Sequence, residues 1–397
     1  MQYSSLVERI AGESVSAWDI HYAACEAQAR GEDVIVLSIG DPDFATDAAI
    51  CDAAIQGLRD GDTHYTPVTG RLPLREAIAA KQQRLAGIPL TADQVTLVAG
   101  AQNGLYATAM CLFETGDEVL VPEPMYLTYA ASIQASGATL IPIPQPSAGD
   151  FRLTAEALAA LITPLTRGIA LATPNNPTGN VYTAAELEAV AQLAREHDLW
   201  VLSDEVYGQL TYEQSHQSIA ALPGMAERTV LINSLSKSHA MTGWRVGWVA
   251  GPKDLISHLD NLLLCMLYGL PGFIQSAALK ALELDEAIVG HARELFRRRR
   301  DLVVRALSGV PLLRYKVPEA GMFMLLDVRG TGLTSQQFAW GLFEHGGVSV
   351  LDAEAFGASC RGFVRLSFTV DDGALSEACK RIAAYVACLS AAAEVCR

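Results

Sequence analysis

Short β-branched or apolar runs alternate along this chain with long Ala/Leu-rich stretches of helical period. The runs are Val95–Val98, Glu118–Val121, Ile169–Ala172, Trp200–Leu202, Val230–Ile232 and Val246–Ala250; the helical stretches include Leu72–Leu85, Ala184–His197 and Ala277–Leu307. Parallel strands cannot be joined by a tight turn and need a crossover of a dozen residues or more, usually a helix. The alternation therefore predicts an α/β fold, a mostly parallel central sheet flanked by helices. Thr183-Ala184-Ala185-Glu186 has capping-box spacing and opens one crossover helix. A smaller α+β unit is expected after the long helix near residues 290–308, with strands around Met322–Asp327 and Phe363–Phe368. The expected division is 1–45 as an arm contributing a short strand (Val34–Ile39) to the small domain, 46–290 as the large domain, and 291–397 as the small C-terminal domain.

Composition narrows the partners. Half of the 397 residues are apolar and 18% are charged, enough for a sizeable core. Lys plus Arg total 29 against 44 Asp plus Glu, a formal charge of −15, which argues against nucleic acid or an anionic membrane surface as partner. The one basic run, Arg297–Arg300, is expected to be a solvated helix face. Eight cysteines lie scattered with no CxxC and no metal-ligand spacing, so no metal is expected, and their apolar or Ala-rich surroundings suggest small buried thiols in a reducing cytosol. Met1–Gly12 lacks the apolar core of a signal peptide. The apolar stretch Leu262–Leu279 is interrupted by Gly269, Pro271 and Gly272 and reads as a buried segment with a turn rather than a bilayer span. A cytoplasmic protein is expected.

Three chemically loaded stretches each follow an expected strand: Asn175-Asn176-Pro177-Thr178-Gly179, Ser203-Asp204-Glu205-Val206-Tyr207 and Ser234-Leu235-Ser236-Lys237, the last followed by Gly243-Trp244-Arg245-Val246-Gly247. In open α/β sheets the carboxyl ends of strands line the ligand crevice, so these residues can converge there. Alone, each has an ordinary reading as a turn lysine, a turn asparagine or a loop acid.

As an ordered set they resemble the fold-type-I, pyridoxal-phosphate-dependent aminotransferases of class I/II. The resemblance runs from Gly40-Asp41-Pro42-Asp43-Phe44 to Phe363-Val364-Arg365-Leu366-Ser367, nearly the whole chain. It implies pyridoxal 5'-phosphate as cofactor, amino acids and 2-oxo acids as substrates, and a homodimer. By that resemblance Lys237 carries the cofactor aldehyde and acts as proton carrier, work that suits a lysine whose pKa falls on burial. Asp204 keeps the pyridine nitrogen protonated, while Asn176 and Tyr207 hydrogen-bond the phenolic oxygen. Glu205 is expected to face away. Gly100, Ala101 and Gln102 at a helix start, with Ser234, Ser236 and Arg245, hold the phosphate. Tyr126 stacks on the ring, and Tyr65 reaches across a dimer interface to the neighbour's phosphate. Arg365, alternating with apolar neighbours, takes the substrate α-carboxylate with the Gly40 backbone helping.

Substrate choice rests on less. Asp352-Ala353-Glu354-Ala355-Phe356-Gly357 precedes the Arg365 strand where many relatives carry a proline and a hydroxyl, so Asp352 and Glu354 could attract a cationic side chain or be solvated loop acids. Trp18-Asp19-Ile20-His21-Tyr22 and Ser236–Arg245 resemble arginine–pyruvate aminotransferases, which implies L-arginine as donor and pyruvate as acceptor. The alternatives are broader or aromatic/aspartate specificity and a β-lyase sharing Lys237, Asp204 and Arg245. A DNA-binding regulator on this fold lacks its extension and basic patch here, and Gly330-Thr331-Gly332 lacks the third glycine of a nicotinamide site.

Overall fold

A computed structural model describes residues 1–11 and 17–395; Gly12 and Cys396, which entered the expectations above, lie outside them. Strand β1 (Ile35–Val36) follows a helix, Asp19–Ala29, and pairs in parallel with a late strand at Val348–Ser349. The central sheet contains β2 (Val95–Val98), β3 (Glu118–Glu123), β4 (Thr139–Pro144), β5 (Thr166–Ala172), β6 (Trp200–Asp204), β7 (Thr229–Ser234) and β8 (Gly247–Ala250). Its order is β2-β8-β7-β6-β5-β3-β4. Helices such as Ala184–Glu196 form the crossovers, and Thr183 caps that one by accepting the Glu186 amide. Buried side chains make the core around it on both faces, Val98, Ile232 and Val249 on one and Leu97, Leu231 and Trp248 on the other.

One strand runs against expectation. β8 is antiparallel to both β2 and β7. The chain between β7 and β8 carries only turns, at 236–240 and Thr242–Trp244, too little structure for a helical crossover back to a parallel start. β4 was not foreseen because Pro142 and Pro144 interrupt its pattern; it sits at the sheet edge, where a missing N–H costs no ladder bond.

The expected continuous helix Ala277–Leu307 is two helices, Gly272–Glu283 and Asp285–Leu307, parted at Leu284. Beyond it lie β9 (Arg314–Tyr315), β10 (Phe323–Asp327), β11 (Val348–Ser349), β12 (Leu351–Asp352) and β13 (Phe363–Ser367). β12-β13-β10-β9 form an antiparallel sheet, with Arg365 opposite Leu325 and Leu351. Phe296, Phe338 and Phe368 are fully buried against it.

Two composition-based expectations fail. Arg299 and Arg300 are each only 4% exposed, so the basic run is not one solvated face. Four consecutive helical residues are spread over about 300° around the axis, so they cannot share a face. Arg299 pairs with Asp43 at 2.7 Å and Asp372 at 3.1 Å, Arg300 pairs with Glu213 at 2.6 Å and lies over the Tyr212 ring, and only Arg297 and Arg298 look outward. Nor are the thiols mostly buried: Cys360 and Cys379 are, but Cys25, Cys265 and Cys388 sit exposed. Alanine-rich surroundings do not mark which helix face a residue occupies. Among the described residues no helix is long and apolar enough to cross a membrane.

Candidate active site

The carboxyl ends of β5, β6 and β7 open into a cavity of about 320 Å³, closed from the other side by Gly40, Phe323 and Arg365. Lys237 follows β7 by three residues and sends its Nζ into this space, donating to the Gly40 carbonyl at 2.7 Å. Burial pulls its pKa down to about 8; Asp41 opposes the fall, while Arg365 and Arg245 add to it. Asp204 ends β6. Burial raises its pKa to about 6, against the hydrogen bonds it accepts from the Tyr129 hydroxyl at 2.7 Å and the Val206 amide at 3.3 Å.

Both shifts cost stability. Between pH 8 and its ordinary 10.5, Lys237 binds more protons unfolded than folded, so stability rises with pH there and the cost is full below pH 8. Between 3.8 and 6 the folded chain binds more protons at Asp204, so stability falls as pH rises and the cost is full above 6. At pH 7 both costs stand, for Lys237 on the order of 3 kcal/mol. Lys237→Met is therefore expected to raise the Tm of the cofactor-free protein at pH 7 by about 2–4 °C. The gain should vanish as the pH approaches 10.5, which differential scanning fluorimetry across pH checks.

Opposite Lys237, the helix Ala101–Leu112 points its amino terminus at the cavity, leaving the first-turn amides of Ala101 and Gln102 without helical acceptors. Gly100 caps it at φ 82°, and a Cβ there would run into the Arg245 guanidinium. Arg245 is held by the carbonyls of Thr242 at 2.7 Å and Ala99 at 3.1 Å. Ser234 and Ser236 line the same end. Backbone amides, two hydroxyls and a guanidinium around a glycine that admits no side chain make a cradle for a phosphate.

Arg365 is 1% exposed. Its Nη2 donates to the Ser38 carbonyl at 2.9 Å and its Nη1 to Asn176 Oδ1 at 3.1 Å, while Nε is buried without a partner. Among the described residues no carboxylate lies within ion-pair range of it. Burial holds its pKa down at about 10, against the pull of Tyr126 and Tyr207. The guanidinium stacks on Phe323 at 4.2 Å, and a Cβ on Gly40 would strike that same ring. A buried cation left unpaired by its own chain is a site for a small anion. Tyr126 and Tyr207 complete the wall; burial drives both phenols upward, so both stay protonated donors. Tyr65 does not reach the cavity. It is 85% exposed and packs on Tyr268, the ring centroids 4.7 Å apart.

The structure thus brings together every residue expected at the site except Tyr65. It adds Trp18, Asp41, Thr128, Tyr129 and Thr242 to the lining. Tyr129 was legible in principle, since it follows Tyr126 by three residues at a strand's carboxyl end. Thr242 donates to Asp41 at 2.7 Å, a contact no local pattern announces. Asp352 and Glu354 are elsewhere: they line a neighbouring cavity with Ile20, Gln336 and Trp340. Asp352 accepts the Glu354 amide at 3.0 Å and Glu354 pairs with Arg361 at 2.9 Å, so local capping and pairing occupy both acids. Glu205 faces away from the cavity, as neighbouring strand residues must, but it is buried and accepts from Ser203 and Ser218.

Comparison with known proteins agrees with this arrangement. The family model for aminotransferase class I and II matches residues 32–382. The chain is 52% identical to the arginine–pyruvate transaminase AruH of Pseudomonas aeruginosa, over 96% of this chain and 98% of that protein. It is 34% identical to an aspartate aminotransferase of Pyrococcus horikoshii, over 90% and 92%. The solved aspartate aminotransferase of Thermus thermophilus with maleate superposes at a TM-score of 0.92, with 32% identity over 97% of this chain and all of that one. Matched along most of its length by sequence and by fold, the chain belongs to the class I and II aminotransferases.

Proposed function

We propose that this aminotransferase moves the α-amino group of L-arginine to pyruvate, giving 2-oxo-5-guanidinopentanoate and alanine. The observation that carries the reading is the grouping of Lys237, Asp204 and the unpaired Arg365 around one cavity beside an anion cradle. The family works with pyridoxal 5'-phosphate, and the donor set fits it: Gly100, Ala101, Gln102, Ser234, Ser236 and Arg245 for the phosphate, Asp204 for the ring nitrogen, Asn176 and Tyr207 for the phenolic oxygen, Tyr126 for the ring face. Bound, it supplies an electron sink for charge left at the substrate α-carbon. Arg365 then orients the α-carboxylate, with the Gly40 backbone lining the same end of the cavity. Lys237 Nζ takes up and returns the α-carbon proton, and a pKa of about 8 leaves it able to do both near neutrality.

Arginine as donor is supported by the similarity to AruH and by Asp41. Among the described residues, the cavity wall carries the carboxylates Asp204 and Asp41; Asp204 is engaged by Tyr129, whereas Asp41 lies exposed at the mouth and accepts from Thr242. We assign Asp41 to the donor guanidinium. Steady-state kinetics over arginine, leucine, aspartate and alanine should rank arginine first by kcat/KM. Asp41→Asn should raise KM for arginine about tenfold and that for alanine by less than about twofold. Arginine no better than leucine or aspartate would sink the assignment.

We also read the active unit as a homodimer, in which the exposed Tyr65 completes the partner's phosphate cradle. The free, partly exposed thiols fit the cytoplasm. The division at residues 45 and 290 is supported by the core of the small sheet, drawn mostly from residues outside 46–290, although Leu127, Phe151, Tyr207 and Leu210 join it.

A further inference from the structure

Behind the cavity wall lies a second cluster of charge. Lys237 faces the cavity, but His239, two residues on, is 1% exposed and turned the other way. Its Nδ1 lies 2.8 Å from Ser238 Oγ and its Nε2 lies 3.4 Å from Asp285 Oδ1. Asp285 opens the helix Asp285–Leu307 at the break after Leu284. It also accepts from Lys81 Nζ at 2.5 Å and, on its other oxygen, from Gln209 Nε2 at 3.1 Å. Lys81 is 2% exposed and sits 5.8 Å above the Trp248 ring.

Two features set this apart from an ordinary structural ion pair. A buried pair is seldom worth more than an apolar pair of the same volume, because desolvation takes back most of the attraction. What a single carboxylate with two hydrogen-bond donors, Lys81 and Gln209, and the His239 ring 3.4 Å away does supply is registration. Here the partners come from the segment of Lys237, through His239, and from the segment of Asp204 and Tyr207, through Gln209. The two segments pair directly where β6 meets β7, Glu205 N donating to the Ile232 carbonyl at 2.9 Å; beyond that pairing Asp285 touches both, hydrogen-bonded to Gln209 and 3.4 Å from His239, and anchors them to Lys81 and to the start of the long helix.

We propose that Asp285, with Lys81 and Gln209, is a positioning residue that fixes His239 and thereby the placement of Lys237 in the cavity. The proposal rests on Lys237 being the reacting lysine. None of the three touches the cavity, so they act through the segments they hold.

The test uses three variants of the full chain. Readouts are Tm, kcat and KM of transamination, and, in cofactor-free protein, the pH at which half of Lys237 is reductively methylated, located by peptide mass spectrometry. Asp285→Asn strands the Lys81 charge, so Tm and kcat both fall, kcat by about tenfold or more. The double variant Lys81→Met, Asp285→Leu removes both charges together and recovers Tm. Its kcat should nevertheless stay about fivefold or more below wild type with KM within about threefold, since misplacement and not instability limits it. Its Lys237 midpoint should move by about half a pH unit or more. Should the double variant not fold, His239→Phe is read by the same two criteria. A smaller loss of kcat, or an unmoved midpoint, overturns the proposal. If the wild type showed no transamination at all, the function proposed above would fail, while the methylation midpoint would still decide this one.

Discussion

Lys237→Ala is expected to lower kcat for transamination by about 10⁴-fold or more while leaving the fold intact. Proton transfer by a positioned side chain is worth up to about 10⁴-fold, and this lysine is also the attachment point for the cofactor. No neighbour can substitute. The cavity wall offers Arg245 and Arg365 as its other cations, and a guanidinium does not give up its proton near neutrality. Lys81 is buried behind the wall on Asp285. Because Lys237 is held down near pH 8 mainly by burial, a small amine supplied in solution, such as methylamine, should restore part of the lost rate. Turnover within about tenfold of wild type in Lys237→Ala would contradict this role.

Asp204→Asn is the second large effect, about 10³-fold on kcat. Two unit charges 4 Å apart interact by about 4 kcal/mol at an effective dielectric of 20, and that difference between carboxylate and amide corresponds to about three powers of ten in rate. The substitution is isosteric, and an amide oxygen can still accept from Tyr129, so the loss reports charge and not packing. The pH dependence has a definite sign. Asp204 must be ionised to hold a protonated ring nitrogen; burial raises its pKa to about 6 and the ring's charge pulls it back down, so wild-type kcat should fall only as pH drops below 6. Asp204→Asn should lose that limb. An undiminished acid limb in the variant would assign it to another group.

How much of this was legible in sequence follows from the range of the forces involved. The motifs around Asn176, Asp204, Lys237 and Arg245 each sit within a few residues of a strand end, and the sheet alone brings them to one edge. Strands β2, β5, β6 and β7 announce themselves as continuous apolar runs because both faces are covered. What escaped reading depends on contacts distant in the chain. Tyr129 meets Asp204 across 75 residues, and Asp285 meets Lys81 across 204. The direction of β8 depends on what the preceding loop lacks rather than on its own residues. Asp352 and Glu354 mislead for the opposite reason: they are near Arg365 in sequence and strand register, yet local capping and Arg361 use them up outside the cavity. The arginine run misleads because composition counts charges without assigning faces, and Arg299 and Arg300 turn inward to Asp43 and Glu213.

The most direct test of the central claim is to load the protein with pyridoxal 5'-phosphate, reduce it with borohydride and map the modified peptide by mass spectrometry. The cofactor mass should fall on Lys237, with substrate arginine present before reduction preventing the label. A label on Lys81 or any other lysine, or none at all in protein that transaminates, would contradict the account.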